Sequence, residues 1–333
     1  MASTFITGMG GFVGLALAEH LLRRGETVIG LDVRALPEAA QQAFASLPGK
    51  LVFEPGDVCD LVSLQDVLAR HRPTRLVSLA AITAGQTRER SAPGSIAHVN
   101  VAGAWNVVAA AAACGVPRVV HASSGSVYGH SGRGTALLDE ATTPLAPEAL
   151  YGISKLAAEA GAQRLAELHG LDLVVARLGT CFGPWEAETG VRDTLSAPLQ
   201  ILRCAERGET AVLPRDSLRD WLYVRDNAAG MACLLDAPRL THRCYNIAAG
   251  FRWALSDWCA MLVIRYPGFD WRVANADEPA NIDLYASYDR AGLCWQRLAH
   301  DTGFVPRHDL SAAAHDYLAW RESQPPRHRQ EAS

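Results

Sequence analysis

The sequence predicts an α/β protein: a doubly wound parallel sheet with a smaller C-terminal domain laid against it. Three observations carry that reading. Short apolar runs at 3–7, 27–31, 51–54, 75–80, 118–122 and 173–177 have the near-continuous hydrophobicity of strands buried on both faces. Segments of helical period separate them at 12–24, 61–71, 95–114 and 151–169, and repeated strand–helix–strand units build a parallel sheet with helices on both sides. The first strand also runs directly into a glycine-rich turn that opens a helix.

The ends of these elements are marked. The first helix closes with Arg23-Arg24-Gly25, cations in the last turn followed by a glycine, and the helix at 151–169 stops at Gly170. Beyond residue 178, Pro184, Pro198 and Pro214 divide the chain into shorter pieces, with helices expected at 195–207, 225–236, 255–265 and 309–321. The expected division is a dinucleotide-binding Rossmann domain over 1–178, to which later segments return. A smaller substrate-binding domain over 179–322 covers the carboxyl edge of the sheet, where α/β proteins bind ligands. A disordered tail is expected over 323–333, around Pro325-Pro326-Arg327-His328-Arg329.

Composition excludes several classes. The chain is 49% hydrophobic and 20% charged, with 31 Lys plus Arg against 35 Asp plus Glu and a net charge of −4, which gives no support to a nucleic-acid or anionic-membrane partner. The N-terminus enters a strand at once, without the cationic flank and apolar core of a signal peptide. The apolar run Val107 to Cys114 is far shorter than the roughly 20 residues of a membrane helix. The eight cysteines are scattered without a Cys-x-x-Cys pair, so reduced thiols in a cytoplasm are expected and no metal site. His98, His121 and His130 lack ligand spacing and read as structural.

The turn after the first strand spaces Gly8, Gly11 and Gly14 three apart. Without side chains there, the backbone turns tightly and lets a pyrophosphate approach the free N–H groups of the helix end. Asp32 closes the second strand where an acid meets the adenosine ribose hydroxyls; its carboxylate accepts from the diol and repels a 2′-phosphate, which argues for NAD over NADP. Arg34 stands close enough to hold such a phosphate instead. Asp57-Val58 after the third strand reaches the adenine edge, and Leu79-Ala80-Ala81 after the fourth lets the cofactor pass. Phe12, Val13, Ala122 and Leu178 complete the candidate cofactor set.

Tyr151 and Lys155 lie four apart at the start of a helix and therefore share a face. A free tyrosine titrates near 10, and a fixed cation beside it pulls that value toward the working range of a base. The fifth strand delivers Ser124 and Ser126 to the carboxyl edge of the sheet, where a hydroxyl orients a substrate oxygen for the phenol.

As an ordered set, Gly8 to Gly14, Asp32, Asp57-Val58, Leu79-Ala80-Ala81, Asn100, Ser124, Tyr151-x-x-x-Lys155, Arg177, Gly183-Pro184 and Arg219-Asp220-Trp221 resemble the extended short-chain dehydrogenase/reductase family. Within it the match is to the NAD-dependent epimerase/dehydratase group that includes UDP-galactose 4-epimerase. The resemblance covers nearly the whole chain. It implies that Ser124 positions the substrate oxygen, Tyr151 is the acid and base, and Lys155 binds the nicotinamide ribose and tunes Tyr151. It implies that Asn100 shapes the cofactor pocket, a buried helix Asn satisfying backbone groups being the alternative. It also implies a homodimer joined through the helices at about 95–114 and 151–169.

The departures bear on the substrate. Gly125-Ser126 stand where sugar 4,6-dehydratases carry an Asp-Glu pair, which excludes elimination of water. Thr180 stands where nucleotide-sugar enzymes usually show Asn, and a second such Asn falls at Leu195. Arg219 matches an arginine that grips a diphosphate, but its second such arginine is replaced near His300. The candidate substrate contacts are Thr83, Ser124, Ser126, Thr180, Trp185, Arg192 and Arg219. Trp185 stacks on a sugar or packs between domains; Arg192 or Arg219 binds a carboxylate or phosphate, or Arg219 pairs with Asp220.

The expected reaction is hydride transfer from a secondary alcohol of a sugar or sugar-like substrate to NAD, leaning to net dehydrogenation of a small free substrate. The alternatives are a nucleotide-sugar epimerase with tightly bound NAD, a non-catalytic dinucleotide sensor, and a carrier or structural partner that binds no dinucleotide.

Overall fold

The computed structural model, which describes residues 2–134 and 136–324, places seven strands in one parallel sheet. Their order across the sheet is Cys244–Ile247, Leu173–Leu178, Arg118–Ser124, Arg75–Ser78, Ser3–Thr7, Thr27–Asp32 and Lys50–Pro55. The order reverses between Ser3–Thr7 and Arg75–Ser78, and that switch point opens the crevice at the carboxyl ends where the site forms. All six apolar runs are strands. The seventh, Cys244–Ile247, is only four residues long and carries Asn246 in its middle, so apolar periodicity could not flag it.

The helices Phe12–Arg23, Leu61–His71 and Leu150–His169 form where the periodicity places them. The expected helix at 95–114 is instead three joined pieces: Pro93–Ala97, a π-helical stretch His98–Gly103, and Ala104–Ala113. Taken together, Pro93–Ala113 is long and apolar enough to cross a membrane, a length that the Val107–Cys114 run alone conceals. Within it Ile96, Val107, Val108, Ala110 and Ala111 are buried. The alanines of this helix that are fully buried thus face the protein's own core. Three short helices, Glu38–Ala45, Gln86–Ser91 and Gln296–Thr302, had no strong periodicity to reveal them.

The C-terminal half divides its packing. The helix Val224–Asp236 and the strand Cys244–Ile247 return to the sheet, where Met231, Leu234 and Tyr245 share a core with Ile6, Leu17 and Val174. The remainder builds a second core around Phe182, Trp221, Tyr223, Trp253, Trp258 and Tyr317. Its helices are Ala197–Arg207, Leu255–Arg265 and Leu310–Ser323. The last helix includes Ser323, the first residue of the expected tail, and residues 325–333 lie outside the described residues.

Asp220 joins the two halves. Its carboxylate accepts from the backbone N–H of Ala249 and of Leu293, each at 3.0 Å. Asp220→Ala removes both acceptors and orphans two buried donors, a loss of about 3 kcal/mol at the usual cost per unsatisfied group. Thermal melting checks this; an unchanged melting temperature would mean that water replaces the carboxylate.

Candidate active site

The cofactor end is built on close approach of backbone. Gly8 has φ +67°, and a Cβ there would lie 2.7 Å from Ala80 Cα; a Cβ on Gly14 would lie 2.4 Å from Gly8 O. The strand, the turn and the helix Phe12–Arg23 therefore meet only because these positions are bare. A Cβ on Gly11 would meet nothing closer than Gly8 O at 3.3 Å. Gly11 is the N-cap and no side chain caps the helix, so its first N–H groups remain for an anion.

The cradle opens into a cavity of about 330 Å³ lined by Gly8, Gly11, Phe12, Val13, Gly14, Asp32, Arg34, Asp57, Val58, Leu79, Ala80, Ala81, Ala122, Tyr151, Lys155 and Leu178. Asp32 is buried and its carboxylate accepts from Gly10 N at 3.0 Å and Arg34 N at 3.1 Å. Arg34 does not stand free as a phosphate clamp: its guanidinium donates to the Thr189 carbonyl across the cavity mouth, with Nε 4.0 Å from Asp32. Asn100 is not on the wall. Its side chain bonds both backbone groups of Ile82 and donates to Ser154 Oγ, so it satisfies buried backbone and braces the catalytic helix.

Arg34 is one of several ties that hold a strap, residues 187–193, over the cavity. Thr83 N donates to Val191 O at 2.8 Å, and Asp193 N to Thr83 O at 3.0 Å. Arg88 bonds both Asp193 oxygens and the Gly190 carbonyl. Ala187, Thr189, Val191 and Arg192 thereby join the lining.

Tyr151 and Lys155 both face the cavity from the helix Leu150–His169. Lys155 is 4% exposed and its ammonium donates to the Ala122 carbonyl on the fifth strand. Burial pushes Lys155 down to about 8, opposed by Glu159. The phenol of Tyr151 is not depressed as expected. Burial raises it, while the hydroxyls of Ser124 and Thr83 and the charge of Arg192 work the other way. The charges acting on the phenol in this structure include Arg192 and Arg290. Ser124 Oγ accepts from Ser126 N and donates to Ser126 Oγ, both at 3.1 Å.

The remaining substrate candidates separate. Thr83 and Arg192 line the cavity; Arg192 is steadied by Glu186 at 3.2 Å and by the Thr194 carbonyl. Trp185 does not reach it. Its indole N–H donates to Glu19 at 2.7 Å and its ring packs against Phe44 and Trp320, so it is a junction residue. Arg219 does not pair with Asp220, whose oxygens hold backbone N–H groups; it lies over Trp221, and its Nε is buried without a partner. His300 is on the surface, its side chain 84% exposed and against Asp301, so nothing at that position replaces an arginine. The cation nearest in influence to Arg219 is Arg290, which donates to Thr180 Oγ1 at 2.9 Å. Leu195 contributes its carbonyl to Gln200.

Sequence reasoning missed Ser123, whose hydroxyl is buried on the cavity wall without a partner, and it missed the strap and Arg290. Strand alternation from Ser124 offered a signal for Ser123. None existed for the others.

Comparison with known proteins places these features. The model of the NAD dependent epimerase/dehydratase family matches residues 4–248. The chain is 28% identical over 250 residues to dTDP-glucose 4,6-dehydratase of Neisseria meningitidis serogroup B, covering 69% of this chain and 66% of that one. It is 31% identical over 246 residues to UDP-glucuronate 4-epimerase 2 of Arabidopsis thaliana, covering 70% of this chain and 54% of the relative. It thus spans about half the length of the Arabidopsis enzyme. Over 333 aligned residues it is 26% identical to dTDP-glucose 4,6-dehydratase of Actinoplanes sp., 95% and 96% covered. Among solved structures, the UDP-glucose 4-epimerase of Thermus thermophilus in complex with NAD superimposes at TM-score 0.78, 25% identity and 97% and 100% coverage. MoeE5 in complex with UDP-glucuronic acid and NAD gives 0.78 at 24% identity, also 97% and 100% covered, which speaks for the fold.

Proposed function

The chain belongs to the NAD dependent epimerase/dehydratase family, and from that premise we propose that it transfers hydride between NAD and a secondary alcohol of a sugar or sugar-like substrate. The observation that carries this reading is Tyr151 and Lys155 on the wall of one cavity with the bare glycine cradle and Asp32. The residues fit the cofactor: the uncapped helix end would hold its pyrophosphate and Asp32 its adenosine ribose. NAD held there supplies the hydride acceptor. Ser124 holds the alcohol oxygen, Tyr151 takes its proton, and the buried ammonium of Lys155 favours the anionic phenol.

Asp32 sets the choice of dinucleotide. Asp32→Ala is expected to weaken NAD by roughly ten- to a hundredfold, the worth of one or two hydrogen bonds to a charged group, and to narrow its advantage over NADP. Titrating both dinucleotides checks this; an unchanged preference would put the discrimination elsewhere.

Net dehydrogenation of a small free substrate remains the leading form of the reaction. The absence of carboxylates at Gly125-Ser126 supports a reaction without loss of water. The strap across the cavity mouth favours a second form, epimerisation with NAD retained through the cycle, because the bonds of Arg34, Thr83 and Arg88 to it would have to break before a dinucleotide leaves. Absorbance of the purified protein with NAD and a panel of aldoses, sugar acids and UDP-sugars tests both. Steady NADH on a free sugar or acid establishes the dehydrogenase; interconverting UDP-sugars without net NADH establishes the epimerase. The absence of both outcomes would sink the reading.

A homodimer is part of this proposal. Trp105, Ile153 and Leu168 are exposed on the helices Ala104–Ala113 and Leu150–His169, which pack together at Gly161. Light scattering showing a monomer at micromolar concentration would remove it.

A further inference from the structure

Arg290 reaches the substrate end of the site by an unusual route. It lies in the segment 289–293, which is pinned on both sides: Asp289 accepts from Leu218 N, Ala291 N donates to Gly132 O, and Leu293 N donates to Asp220. From there its side chain runs past two glycines. A Cβ on Gly132 would lie 2.8 Å from Arg290 Cγ, and one on Gly125 would lie 3.3 Å from Arg290 Nη2. Both positions are bare where the side chain passes. Gly125 directly follows Ser124, and the Arg290 charge interacts with the Tyr151 phenol, so the guanidinium comes within electrostatic reach of the catalytic tyrosine.

The charge delivered there has no salt-bridge partner among the described residues and is opposed at a distance by Asp220. Among the described residues Arg290 makes one side-chain hydrogen bond, to Thr180 Oγ1, and no ion pair. Asp220 is the acid in its neighbourhood, but both its oxygens hold backbone N–H groups. Arg219, 6% exposed, likewise has no acid partner among the described residues, and its Nε is unpartnered. Burial, helped by the charges of Arg290 and Arg215, brings Arg219 down to about 9. A buried guanidinium without a carboxylate, as at Arg219, or a half-buried one, as at Arg290, is costly unless a ligand brings the anion.

We infer that Arg290, admitted by Gly125 and Gly132, is a specificity-determining residue that binds a carboxylate carried by the sugar close to its reacting carbon. This rests on the hydride-transfer reading of the same site. A planar carboxylate suits the guanidinium fork, and Thr180 holds one edge of that fork while leaving the rest for the ligand. Position favours the sugar's own acid over a phosphate: an anion on Arg290 sits within electrostatic reach of Tyr151, toward the reacting part of the substrate. The acid is a free sugar acid or the uronic acid of a nucleotide sugar.

The test is calorimetric binding to the NAD-loaded protein, comparing glucuronate and galacturonate with glucose and galactose, and UDP-glucuronic acid with UDP-glucose. The parent is expected to prefer the acid in at least one series, and which series responds identifies the source. Arg290→Gln should remove that preference, weakening the acid by roughly ten- to a hundredfold and leaving the neutral partner within a small factor. Gly132→Ala keeps the arginine but crowds its path, and should show the same selective loss. Equal loss for UDP-glucose and UDP-glucuronic acid in Arg290→Gln would mean a phosphate ligand and overturn the inference. So would acid binding that survives Arg290→Gln, or no preference for acids in the parent. Failure of the parent to bind NAD would instead sink the hydride-transfer reading, so the two failures are told apart.

Discussion

Tyr151→Phe is expected to lower kcat by about two to four orders of magnitude while NAD binding stays within a small factor of the parent. The substitution removes one oxygen and keeps the ring, so the packing of the helix Leu150–His169 is preserved. What goes is the group that exchanges a proton with the alcohol. The Ser124 and Thr83 hydroxyls still face the space and Arg192 keeps its charge, so the substrate oxygen is still held. The loss should therefore appear in kcat more than in KM. Burial raises the phenol, which makes the Ser124 and Thr83 hydroxyls and the charge of Arg192 the means of bringing it into range. Intact activity with intact NAD binding would leave Tyr151 without a chemical role. Intact biological function without any turnover in the parent would instead fit the dinucleotide sensor.

The parts legible in the sequence were those in which local backbone chemistry and function coincide. Gly8 and Gly14 are readable because a Cβ there would lie only 2.7 and 2.4 Å from backbone atoms. Tyr151 and Lys155 are readable because a helix turns residues four apart onto one face. Asp32 is readable because a strand end fixes its height above the sheet. The illegible parts are set by distant segments. The strap contacts Arg34 from 155 residues away, and Arg290 meets Thr180 across 110. No period in the sequence connects such pairs. Trp185 shows the converse: its residue type suits a sugar face, but Glu19, Phe44 and Trp320 claim it for the junction. Asn100 follows the same logic, since the π-helical stretch aims its amide at Ile82 and Ser154 instead of the cavity.

The ion pair beneath the catalytic helix should produce the largest change in stability. Glu159 lies one turn beyond Lys155 and is 3% exposed; Arg177 on the sixth strand is 4% exposed. The guanidinium grips both carboxylate oxygens, at 2.5 and 3.1 Å, and donates to the Tyr128 hydroxyl at 3.0 Å. Tyr128 in turn donates to Asn246, whose amide nitrogen bonds the Leu138 and Cys294 carbonyls. Glu159→Ala leaves a buried cation without its acid, at a cost of about 3–5 kcal/mol, read as a lowered denaturation midpoint. Pairing Glu159→Leu with Arg177→Met removes both charges and should recover much of that loss. A second consequence follows at Lys155. Glu159 opposes the burial that brings the ammonium to about 8, so its removal lowers that value further. Lys155 then loses its charge at a lower pH, and the alkaline fall in activity of any folded Glu159→Gln protein should move in the acid direction. A profile that does not move, in a variant that still folds, would show that Lys155 is tuned by its contact with Ala122 and by burial alone.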